Sequence, residues 1–413
     1  MVKKELSQTL KMEGGYEALK GYLNSIPQSP AALAFLAMII KENGALHVSL
    51  KLYKEAAQLM PSSASYSLNL VHIHELLNQY NDAFLEIKRY CRENPNLSVG
   101  QLTCGHVYNA IKGFSGVISE EDPNTPTLPT IETDPIPLTA SYSPDQLDIL
   151  ALFCTLVKVL YVAGNLSLIP RLSAIINPVR EKRPMHTTTI RNEHAYYCCI
   201  DQLMVYHSNL PDKTLPYIYL AGDSHALTTA WQTINFKGSP HVIKPLLVTG
   251  LKCWHLRPES TFYPKENFWN VVPTAPPGSH IIFQFGEIDC REGFVFAVQK
   301  GIYEDIAEGA SVAIDIYIDV LLQLQKQYNF HIYIHPPSPV IDVTREIVRT
   351  FTRILKQKVQ ETGTLHYLDF ADELLTPNKA NLNPKFDLDG THMNPSYLYL
   401  LENSLNLLPN TQQ

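Results

Sequence analysis

The chain has 413 residues, of which 45% are hydrophobic and 18% are charged, and these values are typical of folded domains rather than of a disordered chain. Its length is too great for one ordinary core and predicts two or three domains. The formal net charge of -7 lacks the basic excess that nucleic-acid binding favours, so we expect no nucleic-acid partner.

The N-terminal residues and the cysteines favour a cytoplasmic protein. The lysines near the start are not followed by an apolar run, so no secretory signal peptide is predicted. The most apolar stretch, residues 149–162, contains Lys158 and is shorter than a bilayer-spanning helix, so no membrane span is predicted. The seven cysteines have no metal-binding or disulfide spacing, and we expect reduced thiols, no metal and no cofactor.

Prolines recur at an interval of 34 residues in the first part of the chain, at Pro27, Pro61 and Pro95. Residues 33–40 and 53–57 between them have apolar side chains at helical spacing. The pattern resembles the tetratricopeptide repeat, a helix–turn–helix unit of this period, over residues 1–112. The resemblance implies stacked helical pairs whose groove binds a protein partner or which support another domain. A generic array of helical hairpins is the alternative.

The middle of the chain is expected to connect two domains. Residues 113–143 contain clustered prolines and predict a linker. Residues 144–213 predict a helical connecting region, with one helix opening at Pro144. A second helix is expected to end at Asn177 and Pro178. The region is compatible both with a degenerate repeat and with a separate element.

Short β-rich runs alternate with helical patterns in residues 214–413. The predicted strands are residues 217–221, 242–248, 281–285, 331–334 and 365–368. This alternation predicts a three-layer α/β/α domain with a parallel sheet, so the whole chain is expected to combine an α-helical array with an α/β domain. Functional side chains of such sheets lie beyond the carboxyl ends of the strands.

Two segments near predicted strand ends suggest a catalytic triad. Ser224 follows the first strand in the sequence GDSH, and a serine directly after a buried strand is well placed to act as a nucleophile. Near the C terminus, the sequence DGTH places Asp389 three residues before His392, so the carboxylate can orient the imidazole. The candidate catalytic residues are therefore Ser224, His392 and Asp389.

Together these segments resemble the SGNH (GDSL-type) hydrolase superfamily, whose sheet is flavodoxin-like. Residues 222–224 resemble its nucleophile block and residues 389–392 resemble its last block. The resemblance implies an oxyanion hole formed by the amides of Ser224 and Gly250. Residues 286–289, GEID, stand where the family has Gly-x-Asn-Asp.

One position departs from the family pattern, because Ile288 replaces the asparagine that donates to the oxyanion. Loss of such a donor typically lowers the rate by about 10²–10³. Arg291 or Lys252 are candidates to replace it with a charged donor. Three outcomes are open: an esterase with a rearranged oxyanion hole, a transferase, or a weakened or inactive site.

Several polar residues near the strand ends are candidates to line the pocket: Asp223, His225, Glu287, Asp289 and His335. We expect His225 to cap or line the site, and Glu287 and Asp289 to form hydrogen bonds rather than to bind a metal. Cys290 is expected to be a buried thiol, because the sequence places no base beside it.

These observations favour a serine-dependent acyl-ester hydrolase or O-acyltransferase. The expected substrate is an O-acyl ester, foremost an O-acetyl ester, of a small molecule or a glycan, with polysaccharide modification as an expected role. The alternative is an inactive adaptor of SGNH fold that acts through its repeats, which Ile288 favours and the intact triad opposes. A secreted effector without a cleaved signal is a third interpretation.

Overall fold

The structure is a computed structural model, and it describes residues 8–9, 14, 19, 21, 29–118, 130–131, 141–208 and 210–408. The chain divides into two compact units. The first comprises Met1–Met204 with Thr261–Glu266, and the second comprises Val205–Ser260 with Asn267–Gln413. Most of the predicted linker lies outside the described residues.

Paired helices form the first unit, as the sequence predicts. Helices α1 (Pro30–Glu42) and α2 (Leu46–Leu59) form one pair, and α3 (Ala64–Leu76) and α4 (Tyr80–Glu93) form the next. Helix α2 also packs against α3, so the pairs stack. Small residues such as Ala57 at these contacts let the helices approach closely. The prediction of an N-terminal helical array is confirmed.

The first unit continues well beyond the predicted repeats. After a short antiparallel pair, β1 (Ser98–Val99) and β2 (Leu102–Thr103), the described residues of this unit form four more α-helices. They are α5 (Cys104–Ile111), α6 (Pro144–Ala163), α7 (Ile169–Arg180) and α8 (Arg191–Leu203). Helix α6 packs against α3, α4 and α8, so residues 144–203 belong to the same helical unit as the repeats.

The end of α7 differs from the sequence prediction. The helix continues to Arg180 with Pro178 inside it, rather than ending at Asn177. Proline removes one backbone donor, but the side chain of Asn177 supports the last turn. Its Oδ1 accepts hydrogen bonds from Arg180 Nε at 2.7 Å and from the Tyr197 hydroxyl at 2.9 Å.

Helix α6 is a mostly buried helix, and Lys158 in its second half is the charged residue among its buried side chains. Within the described residues it alone is long and apolar enough to cross a membrane, but it is mostly buried. The helix is longer than residues 149–162, so length does not exclude a span as the sequence suggested. Lys158 pairs with Glu75 of α3 at 2.8 Å and lies over the Tyr196 ring at 4.6 Å. These contacts are typical of a core helix.

Lys158→Ala is expected to lower the free energy of unfolding by about 3–5 kcal/mol, because Glu75 is left buried without its partner. Burial already raises the pKa of Glu75, and Lys158 opposes that shift. Denaturant unfolding followed by circular dichroism measures the loss. The double variant Lys158→Met with Glu75→Gln removes both charges and should recover most of the stability. An equal loss in both variants would contradict the expected role of the pair.

A six-stranded sheet forms the centre of the second unit. Its strands are β3 (Tyr217–Gly222), β4 (Thr233–Phe236), β5 (Ser239–Leu247), β6 (His280–Gln284), β7 (His331–Ile334) and β8 (His366–Tyr367). The order is β4-β5-β3-β6-β7-β8, and only β4 is antiparallel to its neighbour. The five parallel strands have the order 2-1-3-4-5 of a doubly wound sheet, in which ligands bind outside the first and third strands.

The edge strand β4 is absent from the sequence prediction. It joins β5 through Lys237 and Gly238, whose φ angles are 51° and 80°. Two successive positive φ angles define a type I′ turn, which matches the twist of a hairpin. Lysine at the first position is only a weak indication of a type I′ turn, so the sequence pattern does not predict this hairpin.

Helices and turns cover both faces of this sheet. Tyr219 and Ala221 of β3 face one core, and Ile218 and Leu220 face the other. The helices are α9 (Tyr263–Val271), α10 (Glu287–Glu292), α11 (Phe294–Gln299), α12 (Ile306–Tyr328), α13 (Arg345–Thr362) and α14 (Leu398–Leu407). The later part of α9, with α12 and α13, packs on the first face, and α14 packs on the second. The predicted α/β fold class is confirmed.

Candidate active site

Ser224 follows the end of β3, the first strand of the parallel part of the sheet in chain order, which lies between β5 and β6. Gly222 pairs in register with Gln284 of β6, and a Cβ at position 222 would lie 2.9 Å from the Gln284 carbonyl oxygen. Glycine therefore allows the two strand ends to approach. Asp223 then caps the 3-10 turn Ser224–Thr228 by accepting the His225 N–H at 2.9 Å. This turn begins with Ser224, which is half-buried.

The structure brings the three candidate catalytic residues into one hydrogen-bonded chain. Ser224 Oγ lies 2.9 Å from His392 Nε2. His392 Nδ1 lies 2.9 Å from Asp389 Oδ2. Because a carboxylate only accepts hydrogen bonds, this contact assigns the proton to Nδ1 and leaves Nε2 to accept from the serine hydroxyl. A nucleophile, a base and an orienting acid have this arrangement.

The loop between Asp389 and His392 fixes the carboxylate. Asp389 Oδ1 accepts the N–H of Thr391 at 2.9 Å and the N–H of His392 at 2.8 Å. Burial opposes ionisation of Asp389, but the hydrogen bonds and charge of His392 and the two N–H groups lower the pKa of the carboxyl below its usual value. Asp389 is therefore a carboxylate at neutral pH and can orient the imidazole.

His225 lies beside the triad and is buried. Its Nδ1 is 2.7 Å from Asp223 Oδ1, and its Nε2 is 3.1 Å from the Thr391 carbonyl oxygen. The centre of its ring is 5.2 Å from that of His392. The sequence prediction placed His225 at the site, but it gave no indication of the bond to Thr391, which is 166 residues away.

Helix α10 follows the carboxyl end of β6 and carries acidic and basic side chains at the same end of the sheet as Ser224. Both carboxyl oxygens of Glu287 are buried and have no hydrogen-bond partner in the part of the chain that the structure describes. Arg291 Nη2 lies 3.7 Å from Glu287 Oε2. Burial raises the pKa of Glu287, while His225 and Arg291 oppose the shift. Since α10 follows β6, this pair lies next to the strand that carries Ser224.

Asp289 anchors the segment that follows β5. Its carboxylate accepts the N–H of Cys253 at 2.8 Å and the N–H of Trp254 at 3.3 Å. Burial raises the pKa of Asp289 to about 6, although these hydrogen bonds favour the charged form. Gly250 lies earlier in this segment with a φ angle of 67°, a conformation that favours glycine. Asp289 therefore has the hydrogen-bonding role expected from sequence, and it supports the segment of the candidate oxyanion glycine.

Arg291 and Ile288 occupy different environments on α10. Arg291 contacts two carboxylates, Glu287 at 3.7 Å and Glu292 at 3.6 Å, and its side chain is 30% exposed. Ile288 is buried and offers no polar group where the family pattern has asparagine. The structure thus places a cation near the site.

His335 and Cys290 are fully buried. His335 Nε2 lies 3.1 Å from the Tyr397 hydroxyl, and burial lowers the pKa of His335 to about 3. Its hydrogen-bond partners are the Tyr397 hydroxyl and the Pro336 carbonyl, so the structure gives it a packing role. Burial also raises the pKa of the Cys290 thiol, as expected for an inert cysteine.

A cleft of about 230 Å³ lies beside the segment that Asp289 anchors. Its walls are largely apolar and include Trp254, Phe294, Phe296 and Ile302. Lys252 and Lys300 also line it. Such a cleft can hold an apolar group with a polar or anionic group at the rim.

Comparisons with known proteins give no family assignment. No protein-family model matches the chain. No curated protein matches it either. The function proposed below therefore depends on the geometry of the site and on the motifs in the sequence.

Proposed function

We propose that the second unit is a serine-dependent acyl-ester hydrolase or O-acyltransferase of SGNH type. The observation that carries the proposal is the hydrogen-bonded chain from Ser224 through His392 to Asp389, with both links at 2.9 Å. It lies beyond the carboxyl end of β3, next to β6, where doubly wound sheets of this strand order bind ligands. The order of the sequence motifs supports the same assignment. The helical pairs of the first unit are, in this proposal, tetratricopeptide-like repeats.

The reaction proceeds in two half-reactions. His392 Nε2 takes the proton of Ser224 Oγ while that oxygen attacks the ester carbonyl. The resulting imidazolium is stabilised by Asp389, and it gives the proton to the departing alcohol oxygen as the ester bond breaks. A water molecule or an acceptor hydroxyl then attacks the acyl-serine, with His392 again taking and returning the proton.

The tetrahedral intermediates of both half-reactions need hydrogen-bond donors for their oxyanion. The backbone N–H groups of Ser224 and Gly250 are the proposed donors. Ile288 supplies no third donor, and the guanidinium of Arg291 is the proposed substitute. Its pairing with Glu287 keeps this cation beside the site.

The cleft is lined by Asp289 and by the segment that follows Gly250, rather than by the triad itself, and its apolar walls suit the apolar acyl group of an ester. Trp254 is exposed, and an indole suits stacking against a sugar ring. The guanidinium carbon of Arg257 lies over this indole, 3.2 Å from the ring centre. An O-acylated glycan or a small acyl ester is therefore the proposed substrate class. The sequence favours a cytoplasmic location and a partner for the helical unit, and both remain predictions.

A fluorophosphonate probe tests the proposal, because it reacts only with a serine that a neighbouring base activates. We expect stoichiometric labelling of the wild-type protein, with the modified peptide containing Ser224, as measured by intact mass and peptide mapping. Hydrolysis of short-chain esters and acetylated sugars should accompany it. Absence of labelling in folded protein would reject the enzyme assignment.

The adaptor function remains the second candidate, and Ile288 is the observation that favours it. A site without the third oxyanion donor is expected to be slower by about 10²–10³. In that case the helical unit would carry the function through a bound protein. Failure of the probe to label Ser224 would direct the search to that partner.

A further inference from the structure

Two side chains of the turn Ser224–Thr228 bond to the residues on either side of the catalytic histidine. His225 Nε2 contacts the carbonyl oxygen of Thr391 at 3.1 Å. Thr228 Oγ1 donates to the carbonyl oxygen of Met393 at 2.8 Å. The nucleophile turn and the loop of His392 are therefore joined by two hydrogen bonds that flank the imidazole. We call this pair of bonds the latch.

The partners of His225 determine its protonation state. A peptide carbonyl and a carboxylate both accept hydrogen bonds and donate none. Each ring nitrogen faces one of these acceptors, at 2.7 Å for Asp223 and 3.1 Å for Thr391. Both bonds form together only when both nitrogens carry a proton, which is the imidazolium form of the ring.

We propose that His225 is a positioning residue that, as a buried imidazolium and together with Thr228, holds the loop of His392 at hydrogen-bonding distance from Ser224. The inference rests on the proposed function for its catalytic consequence, but the protonation state is a property of the fold. In this form His225 donates a hydrogen bond from Nδ1 to the Asp223 carboxylate and another from Nε2 to the Thr391 carbonyl oxygen. The two bonds of the latch therefore fix the position of His392 relative to the turn that follows β3.

Charged groups from three elements surround this imidazolium. Asp223 precedes it in the turn, Glu287 and Arg291 face it from α10, and His392 and His335 lie on neighbouring loops. Burial alone would lower the pKa of His225, but the charge and hydrogen bond of Asp223 reverse the effect and raise it to about 9. His335 is neutral and Arg291 is opposed by Glu287, so Asp223 dominates.

The sign of the pH effect follows from this shift. A folded-state pKa above the value of 6.5 for free histidine means that the folded protein binds the extra proton. The stabilisation by the imidazolium is complete below about pH 6.5 and is lost as the pH rises through about 9. The rate of probe labelling should therefore fall on the alkaline side of about pH 9 in the wild-type protein.

Matched variants separate the two bonds of the latch. Thr228→Val removes its hydroxyl, and His225→Asn keeps a donor near Asp223 but loses the contact with Thr391. Both should lower the labelling rate roughly 10- to 100-fold, because a small misplacement of the base is costly. Thr228→Ser should recover most of the rate. Thr229→Val is the control, because the Thr229 hydroxyl bonds only within the turn, to Ala226 at 3.4 Å.

The pH profile tests whether the charge matters. His225→Gln places an uncharged donor near Thr391 and should keep more activity than His225→Asn, while losing the alkaline decline. An unchanged rate in Thr228→Val and His225→Asn would overturn the proposal. The same outcome follows if Thr229→Val is as damaging as Thr228→Val, because the turn would then be sensitive only to packing.

Nuclear magnetic resonance of protein with ¹⁵N-labelled histidine tests the imidazolium without any activity. The His225 signals are identified by their loss in His225→Asn. We expect both ring nitrogens to be protonated at pH 7 and one of them to lose its proton near pH 9. A neutral ring at pH 7 would overturn the proposal even if Ser224 reacts with the probe. A protonated ring in a protein that the probe does not label would reject the enzyme assignment and retain the latch.

Discussion

Ser224→Ala is expected to lower turnover of a short-chain ester by about 10⁶-fold, to the level that the remaining groups provide. The change removes the only atom that forms the acyl bond in the proposed reaction. His392 and Asp389 stay in place, but no nucleophile lies at 2.9 Å from the imidazole. Initial rates with a chromogenic ester, and labelling with the fluorophosphonate probe, measure the loss.

The same variant should fold normally. The Ser224 side chain makes one hydrogen bond, to His392, and alanine fills less space at a half-buried position. We therefore expect a change of about 1 kcal/mol or less in the free energy of unfolding. Cys290→Ala is the control, because Cys290 follows a strand end as Ser224 does but is fully buried. If Ser224→Ala kept wild-type turnover, or Cys290→Ala abolished it, Ser224 would not be the nucleophile.

Strands, and contacts between residues that are close in sequence, were predicted from sequence patterns. The apolar run that ends at Gly222 predicted a buried strand, and it therefore predicted that Ser224 lies just beyond the carboxyl end of that strand. The spacing of Asp389 and His392 is set within one loop of four residues, so sequence alone suggested their contact. The observed distance of 2.9 Å agrees with that expectation. The strand at residues 331–334 was predicted with the observed boundaries, because it is a short apolar run between two helices.

Long-range contacts were beyond the reach of sequence patterns. Thr228 and Met393 are 165 residues apart, and nothing in either segment indicates their hydrogen bond. The roles of the residues of α10 also depend on contacts between segments that are distant in sequence. Asp289 accepts two N–H groups from the segment after β5, and this depends on how two strands lie in the sheet. From the sequence alone, an aspartate such as Asp289 could bind a metal or could accept backbone N–H groups. Its contacts in the folded protein distinguish these two roles.

The helical unit shows the same limit. The proline period suggested stacked pairs, but it gave no indication that α6 packs against α3 and α4. The same packing brings together Lys158 of α6 and Glu75 of α3, two residues 83 positions apart, at 2.8 Å. In the sequence, the charge of Lys158 argued against a membrane span. The sequence did not indicate that Glu75 is the partner that a buried lysine requires.

Asp389→Asn is expected to lower turnover by about 10⁴-fold. The amide nitrogen of asparagine donates to His392 Nδ1, which then accepts a hydrogen bond and carries no proton. The proton moves to Nε2, the nitrogen that lies 2.9 Å from Ser224 Oγ. A protonated Nε2 cannot take the serine proton, so the nucleophile stays inactive. Initial rates at pH 7 measure the effect.

Asp387→Asn is the matched control for this variant. Asp387 lies on the same loop and accepts the N–H of Gly390 at 2.9 Å, so the substitution removes one negative charge from the same segment. It leaves the contact between Asp389 and His392 intact and should change turnover far less. Equal losses in the two variants would show that loop structure or net charge, rather than orientation of the imidazole, controls the rate.

Acid pH tests whether Asp389 is held in its ionised form by the fold. The lowered pKa of Asp389 means that its contribution to stability is present above the pKa of a free aspartate, about 3.9, and is lost as the pH falls through the lower folded value. The wild-type protein should therefore lose stability relative to Asp389→Asn when the pH is lowered through this window.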